Sequence, residues 1–488
     1  MRSIRWICLI LMAGLVACSG RVDVRKTLDV CPNIFPDYAG VTIPANIAPL
    51  NFRLNDPCEE AYALLTCEAE TLKVRGGQEG DFRIPSSSWK KLLTIARGKH
   101  FCVTVQALID GEWVAYTPFY IEVTETPVDE WLAYRLIEPG YELWNRMGIY
   151  QRDLSGYTER AIIENTQSGD NCMNCHSFCQ RDPEQMLFHM RGANACTLLM
   201  RDGQIEKLNT KTEQTISPLV YPSWHPSGKY IAFSVNDTKQ AFHMNDANRI
   251  EVYDIASDVV VYDVEKHEII TCPLLSADTD FETFPTFSPD GHTLYFCSAK
   301  ALPMPQEYDK VRYDLCSIPF DPDTRQWGTV VDTLYKASAY DRSVSFPRVS
   351  PDGKFLLFTQ SGYGNFSIWH KDADLYMADL ESRHVFPLEA ANSEDVESYH
   401  SWSSDSRWIV FSSRRIDGLY TRPYLAYIDE DGQACKPFLL PQADTGFYSQ
   451  FMKSYNIPEF LTGKVRVKGH AFAEKAKTDR GIDVTFMR

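Results

Sequence analysis

The chain has 488 residues, enough for two or three domains, and its 44% hydrophobic and 23% charged content is globular and not disordered. Its 49 basic and 65 acidic residues leave a net charge of −16 with no long basic run, which argues against a general nucleic-acid-binding role, because phosphate neutralisation needs clustered positive charge. No internal stretch reaches 18 apolar residues, so a multi-span helical membrane protein is excluded.

At the start, Arg2 and Arg5 precede an apolar run from Ile7 to Val16, then Ala17 and Cys18. A charged beginning, a short apolar segment and a small-residue cleavage site describe a secretory signal over residues 1–17. Leu15-Val16-Ala17-Cys18 resembles a bacterial lipobox. The resemblance implies cleavage before Cys18 and acylation of that cysteine. With Ser19 next, it also implies sorting to the outer membrane as a periplasm-facing or surface lipoprotein. Two or three acyl chains, at about 0.8 kcal/mol per buried CH₂, hold a protein on a bilayer. Residues 18–30 then read as a lipidated linker, and the anchor is the one expected membrane contact.

Residues 31–126 alternate short strands (Leu50 to Leu54, Ala61 to Cys67, Phe82 to Pro85, Cys102 to Leu108, Pro118 to Val123) with turns such as Asp110-Gly111. This pattern predicts a small immunoglobulin- or fibronectin-like β-sandwich. One helix is expected from Ser86 to Arg97, with Ser86 or Ser87 as its cap. No reactive constellation stands out, and a binding or spacer domain is the expectation.

The strongest chemical signal is Asn171-Cys172-Met173-Asn174-Cys175-His176. C-x-x-C-H is the attachment site of a c-type haem. Two thiols three residues apart can form thioethers with the two vinyl groups of one porphyrin, and the following imidazole can take the proximal position on iron. Cys172 and Cys175 are therefore the covalent haem ligands expected, with His176 on the metal, for one haem c. A thioredoxin-like thiol pair would want a βαβ context, and a zinc site a second C-x-x-C or paired His; neither is visible, and both remain as alternatives. Ten further cysteines are scattered, several alternating with aliphatic or aromatic residues as core residues do. A disulfide of Cys58 with Cys67 or Cys102 is also open in an oxidising compartment.

Four later segments share one pattern: Tyr221-Pro-Ser-Trp224-His-Pro-Ser-Gly228, Phe284-Pro-Thr-Phe287-Ser-Pro-Asp-Gly291, Phe346-Pro-Arg-Val349-Ser-Pro-Asp-Gly353 and Tyr399-His-Ser-Trp402-Ser-Ser-Asp-Ser406. Each continues into a β-rich run ending in Phe233, Phe296, Phe358 or Phe411. Pro sets φ early in the turn and Gly takes the positive-φ place, filled by Ser406 in the last copy. The anchors lie 63, 62 and 53 residues apart, room for a four-stranded unit with a long loop. This is the signature of a propeller. The pattern is similar to the TolB-type propeller repeat, with its aromatic-Ser-Pro-Asp-Gly-Lys turn, over about Asn171 to Phe460.

A degenerate fifth copy aligns Phe178 with Trp224 and His176 with Pro222, which makes the haem-binding segment 171–191 the start of the first recognisable blade. Trp131 to Ile163 supplies a sixth blade or its closing strand. The expected fold is thus all-β: a six-bladed TolB-like propeller over residues 127–460 after the sandwich. The tail 461–488, with seven Lys/Arg against three acids, reads as a solvated terminus with one edge strand at Val465 to Val467.

For the sixth iron position His189, Met190, His225, His243 and His400 come into view. His225 stands in the repeat turn where the TolB pattern has Ser, and is the expected distal ligand, with Met190 as alternative. The expected function is electron transfer by a lipid-anchored, extracytoplasmic monohaem c-type cytochrome, with an acidic surface suited to a basic redox partner. The alternatives are a non-redox propeller module binding envelope proteins and a haem enzyme of peroxidase or dehydrogenase type. No Gly-x-Ser-x-Gly hydrolase motif is present.

Overall fold

The computed structural model describes residues 22–77, 79–139, 146–478 and 480–487. The signal segment, the lipobox and Cys18 lie outside these residues. No described helix is long and apolar enough to cross a membrane.

The N-terminal domain has two sheets. Glu60–Cys67, His100–Ile109 and Phe119–Val123 form the centre of a seven-stranded sheet, and Ile34–Phe35, Phe52–Leu54 and Asp81–Phe82 form a three-stranded one. Strict alternation of buried and half-buried residues along Glu60–Cys67 reflects one face on the core and one on water. Lys26–Thr27, inside the segment expected as linker, pairs parallel with Glu112–Ala115. The helix Ser86–Ala96 forms as expected and buries Trp89, Leu92, Leu93 and Ala96. Its N-cap is Pro85 and carries no side-chain cap bond, so neither Ser86 nor Ser87 caps it. Every described cysteine is a free thiol; Cys58, Cys67 and Cys102 are not bridged.

The rest is a propeller of six blades, each a small antiparallel sheet. The first takes its inner strand from the C-terminal side: Ser454–Leu461 pairs with Trp131–Ile137, followed outward by Gly148–Asp153 and Glu159–Glu164. Joining chain ends in one blade closes the ring and leaves no open edge at its centre. The inner strands of the next five blades are Cys172–Phe178, Val220–Trp224, Asp280–Phe287, Ser343–Val349 and Glu397–Trp402. The C-x-x-C-H motif therefore lies on an inner strand, where the repeat alignment places it.

One backbone irregularity recurs in all six inner strands. Ile457, Cys175, Tyr221, Phe284, Phe346 and Tyr399 have φ of +50°, +53°, +50°, +49°, +52° and +50°, and the pairing register of each of these blades slips beside the residue. A left-handed conformation is unfavourable for side chains of this kind by roughly 1–2 kcal/mol each. Packing offsets it: Tyr221–Phe284, Phe284–Phe346 and Phe346–Tyr399 ring centres are 4.5, 4.2 and 4.8 Å apart and plug the central channel. Ser406 adopts φ +60°, the conformation of Gly228, Gly291 and Gly353 in the other turns.

The tail is not a solvated terminus. Val465 is buried, its backbone bonded to the Gln151 side chain, and no strand forms at 465–467. The helix Gly469–Thr478 then buries Phe472, Ala473 and Ala476 in the core shared by the first two blades, with Phe472 5.3 Å from Phe188. Ile482–Asp483 and Thr485–Phe486 add to the outer edges of the second and third blades. The sandwich in turn packs on the propeller, where Tyr38 donates to Leu439 O and Asn51 to Gln442 O.

Candidate functional site at the mouth of the central channel

The aromatic plug divides the channel. On the side where the inner strands begin, a cavity of about 370 Å³ opens, within the roughly 300–1,000 Å³ range of small-molecule sites. Cys172, Asn174 and Cys175 line it, with plug residues Tyr221, Phe346, Tyr399 and Ile457 as its floor. Cys175 thus offers a thiol at the plug position where four of the other five blades place an aromatic ring and the first places Ile457. The third blade's second and third strands, Tyr230–Phe242 and Ile250–Asp263, run on as a long hairpin and wall one side through Thr238, Gln240, Ile250 and Val252. The hairpin is fastened to the fifth blade by Glu251, which accepts from Tyr363 OH (2.6 Å) and stands 3.1 Å from His370 Nε2.

Burial pushes the Cys175 thiol above its ordinary value, and the Arg191 and Arg135 charges offset this only in part. Cys175 is thus held as a thiol at neutral pH, unlike the low-pKa nucleophile of a thioredoxin-like pair. Among the described residues no group of three His, Cys, Asp or Glu is disposed to hold a metal ion, so the zinc alternative finds no further ligands.

His176 follows the left-handed residue and occupies the position that Pro222, Pro285, Pro347 and His400 hold in other blades. It is buried and does not line the cavity. His400 there turns into the blade interface, 3.1 Å from Leu357 O. His176 is different: neither ring nitrogen has a partner at hydrogen-bonding geometry. Burial, reinforced by the Arg135 charge and only partly opposed by the Ile457 backbone, pulls its pKa down to about 3, so the imidazole is neutral. A buried imidazole with two unanswered nitrogens is costly as a packing residue, and neutrality is what a metal ligand needs. To hold an iron in the cavity, His176 would have to turn its ring towards it.

The expected distal ligands are not brought there. His225 lies beyond the plug, between Trp224 and Pro226, which line the opposite end of the channel. Its Nδ1 accepts from Ser227 N (3.1 Å), and its Nε2 donates to Gly291 O of the next blade (3.1 Å). Both nitrogens are used by the turn. In the neighbouring turn Ser288 Oγ accepts from Thr293 N and donates to Asp290, so His225 stands in the place of a turn-forming serine but makes a different set of bonds, to Ser227 of its own turn and to Gly291 of the next. Met190 is fully buried opposite Met173 in the core between the first two blades. His189 sits against Thr197 Oγ1, 3.3 Å away. The cavity's wall instead carries Arg135, Arg191, Arg414 and Trp369, for which the sequence holds no local signal.

No protein-family model matches the chain, and no curated protein sequence matches it. Among solved structures it is similar to a Mycobacterium tuberculosis puromycin-hydrolyzing peptidase (12% identity, TM-score 0.36), with 83% of this chain and 57% of that one covered. It is also similar to an oligogalacturonate lyase in complex with manganese (11%, TM-score 0.33, 63% and 85%). A third is the periplasmic gluconolactonase of Pseudomonas aeruginosa (13%, TM-score 0.33, 64% and 97%). The chain spans little more than half of the peptidase's length, and likeness at these values says nothing about activity.

Proposed function

We propose that this protein is an extracytoplasmic, lipid-anchored monohaem c-type cytochrome that passes single electrons to a partner in the cell envelope. The observation that carries the reading is the opening of Cys172 and Cys175 into one cavity at the channel mouth, with a neutral, buried His176 next in the chain whose ring nitrogens have no hydrogen-bond partner. A bound haem would supply one-electron exchange at its iron. The chain's part is to present two thiols from one inner strand, keep the imidazole unprotonated and shield one face of the cavity with the plug. A net charge of −16 suits a basic redox partner, since complementary fields speed brief encounters. The lipobox with Cys18 accounts for membrane attachment.

One observation favours a second reading. No described residue lining the cavity is a His or Met, so a haem held on Cys172 and Cys175 would find no second His or Met on this wall and its iron would be free to take a small ligand, as a haem enzyme requires. Co-expression with a cytochrome c maturation system tests both. Covalent haem on a denaturing gel with a low-spin spectrum supports the carrier. Covalent haem with a high-spin iron that binds carbon monoxide supports the enzyme. Intact protein without haem overturns both and leaves a non-redox binding module.

A further inference from the structure

Three guanidinium groups from three blades converge on this cavity: Arg135 of the first, Arg191 of the second and Arg414 of the sixth. Among the described residues none of the three has a carboxylate at ion-pair distance, although acids outnumber bases in the chain. The other charges on the wall are occupied. Lys239 is 2.8 Å from Asp237, and Glu138 is 3.4 Å from Lys453.

Arg414 is only 4% exposed, and its Nε has no partner. Its guanidinium lies 3.2 Å from the centre of the Trp369 ring. Burial pulls its pKa down to about 9 despite the opposing pull of Asp395, Tyr399 and Asp417. Arg135 donates to Met173 O (3.2 Å) and to the Asn456 side-chain oxygen (2.8 Å), while its buried Nε is likewise unanswered. A desolvated cation with no carboxylate at ion-pair distance, its charge only partly offset by the more distant Asp395 and Asp417, is unfavourable and is relieved by an incoming anion. A planar fork beside aromatic rings matches a carboxylate on an organic body better than a small, strongly hydrated anion.

We propose that the channel mouth is a binding site for an organic carboxylate, held by Arg414 and Arg135 against Trp369 and Tyr399. The inference goes beyond the haem reading and does not depend on it, because the carboxylate can belong to a free acid or to a porphyrin fixed on Cys172 and Cys175. The test is calorimetric titration of citrate and benzoate into the full chain carrying Cys172→Ser and Cys175→Ser, with inorganic phosphate as control. Saturable binding of a carboxylate that weakens about tenfold or more in Arg414→Gln and in Arg135→Gln, and less in Arg414→Lys, is the expected result. Repeating the titration on haem-loaded protein separates the sources. Lost binding assigns the site to the porphyrin's own carboxylates, and retained binding assigns it to a free acid beside it. No saturable binding of either acid, or binding unchanged by both glutamine substitutions, overturns the proposal. The haem reading stands or falls separately on the gel stain.

Discussion

His225 of the third blade donates from Nε2 to the carbonyl oxygen of Gly291 in the fourth, 3.1 Å away, and so ties two successive repeat turns together. The same ring accepts from Ser227 N through Nδ1, so it is a turn residue with no lone pair left for a metal. His225→Ser restores the serine of the other copies but leaves the Gly291 carbonyl without that donor. The expected outcome is a loss of about 1 kcal/mol in urea denaturation, with the visible spectrum of any haem-loaded protein unchanged. A spectral change in that variant would contradict the placement.

The thiols should be separable from the fold. Cys172 and Cys175 face a cavity and make no disulfide, so Cys172→Ser with Cys175→Ser should keep the propeller within about 1 kcal/mol of the parent. The same variant should carry no covalent haem by mass spectrometry. Loss of folding in the double variant would show that the sulfurs are structural.

A third expectation concerns the tail. Phe472 is fully buried between the first two blades, and the helix carrying it is held by Lys207 Nζ donating to Ala476 O. Phe472→Ala should cost about 3–5 kcal/mol, seen as a lower midpoint in chemical denaturation. A solvated terminus would show no shift.

The fourth is a pH effect outside the site. Glu282 is buried, and burial together with Asp258 and Asp280 raises its carboxyl to about 8 from 4.5. The native state then keeps a proton that the unfolded chain releases, so this group's contribution to stability falls as pH rises from 4.5 through 8. Glu282→Gln keeps the shape without the ionisation. It should match the parent below pH 4.5 and exceed it at pH 9 by on the order of 5 kcal/mol, measured by denaturation at both pH values. Equal stability at pH 9 would show that the carboxylate is solvated.

Much of the architecture is written locally. The aromatic-Pro anchors and Ser-Pro-Asp-Gly turns repeat in sequence because each blade solves the same problem with the same hydrogen bonds, as Ser288, Ser350 and Ser403 each show by accepting from the backbone N–H five residues on. That regularity also carried the weak copy: aligning His176 with Pro222 put the two thiols on an inner strand, where Cys175 shares the left-handed turn of Tyr221 and Tyr399. The helix at 469–478 was obscured because its exposed lysines dominate the composition, while Phe472, Ala473 and Ala476 gain their meaning only from the groove they fill.

The amino-acid order alone thus specified the repeating unit and, by counting its copies, the number of blades, since each turn rests on contacts within a few residues. What stands around Cys172 and Cys175 was decided by ring closure. Arg135 and Arg414 are 279 positions apart and meet only because the first and sixth blades become neighbours when Ser454–Leu461 pairs with Trp131–Ile137. His225 moved the other way, near the motif in sequence yet beyond the plug in space, because an inner strand carries its two ends to opposite mouths of the channel.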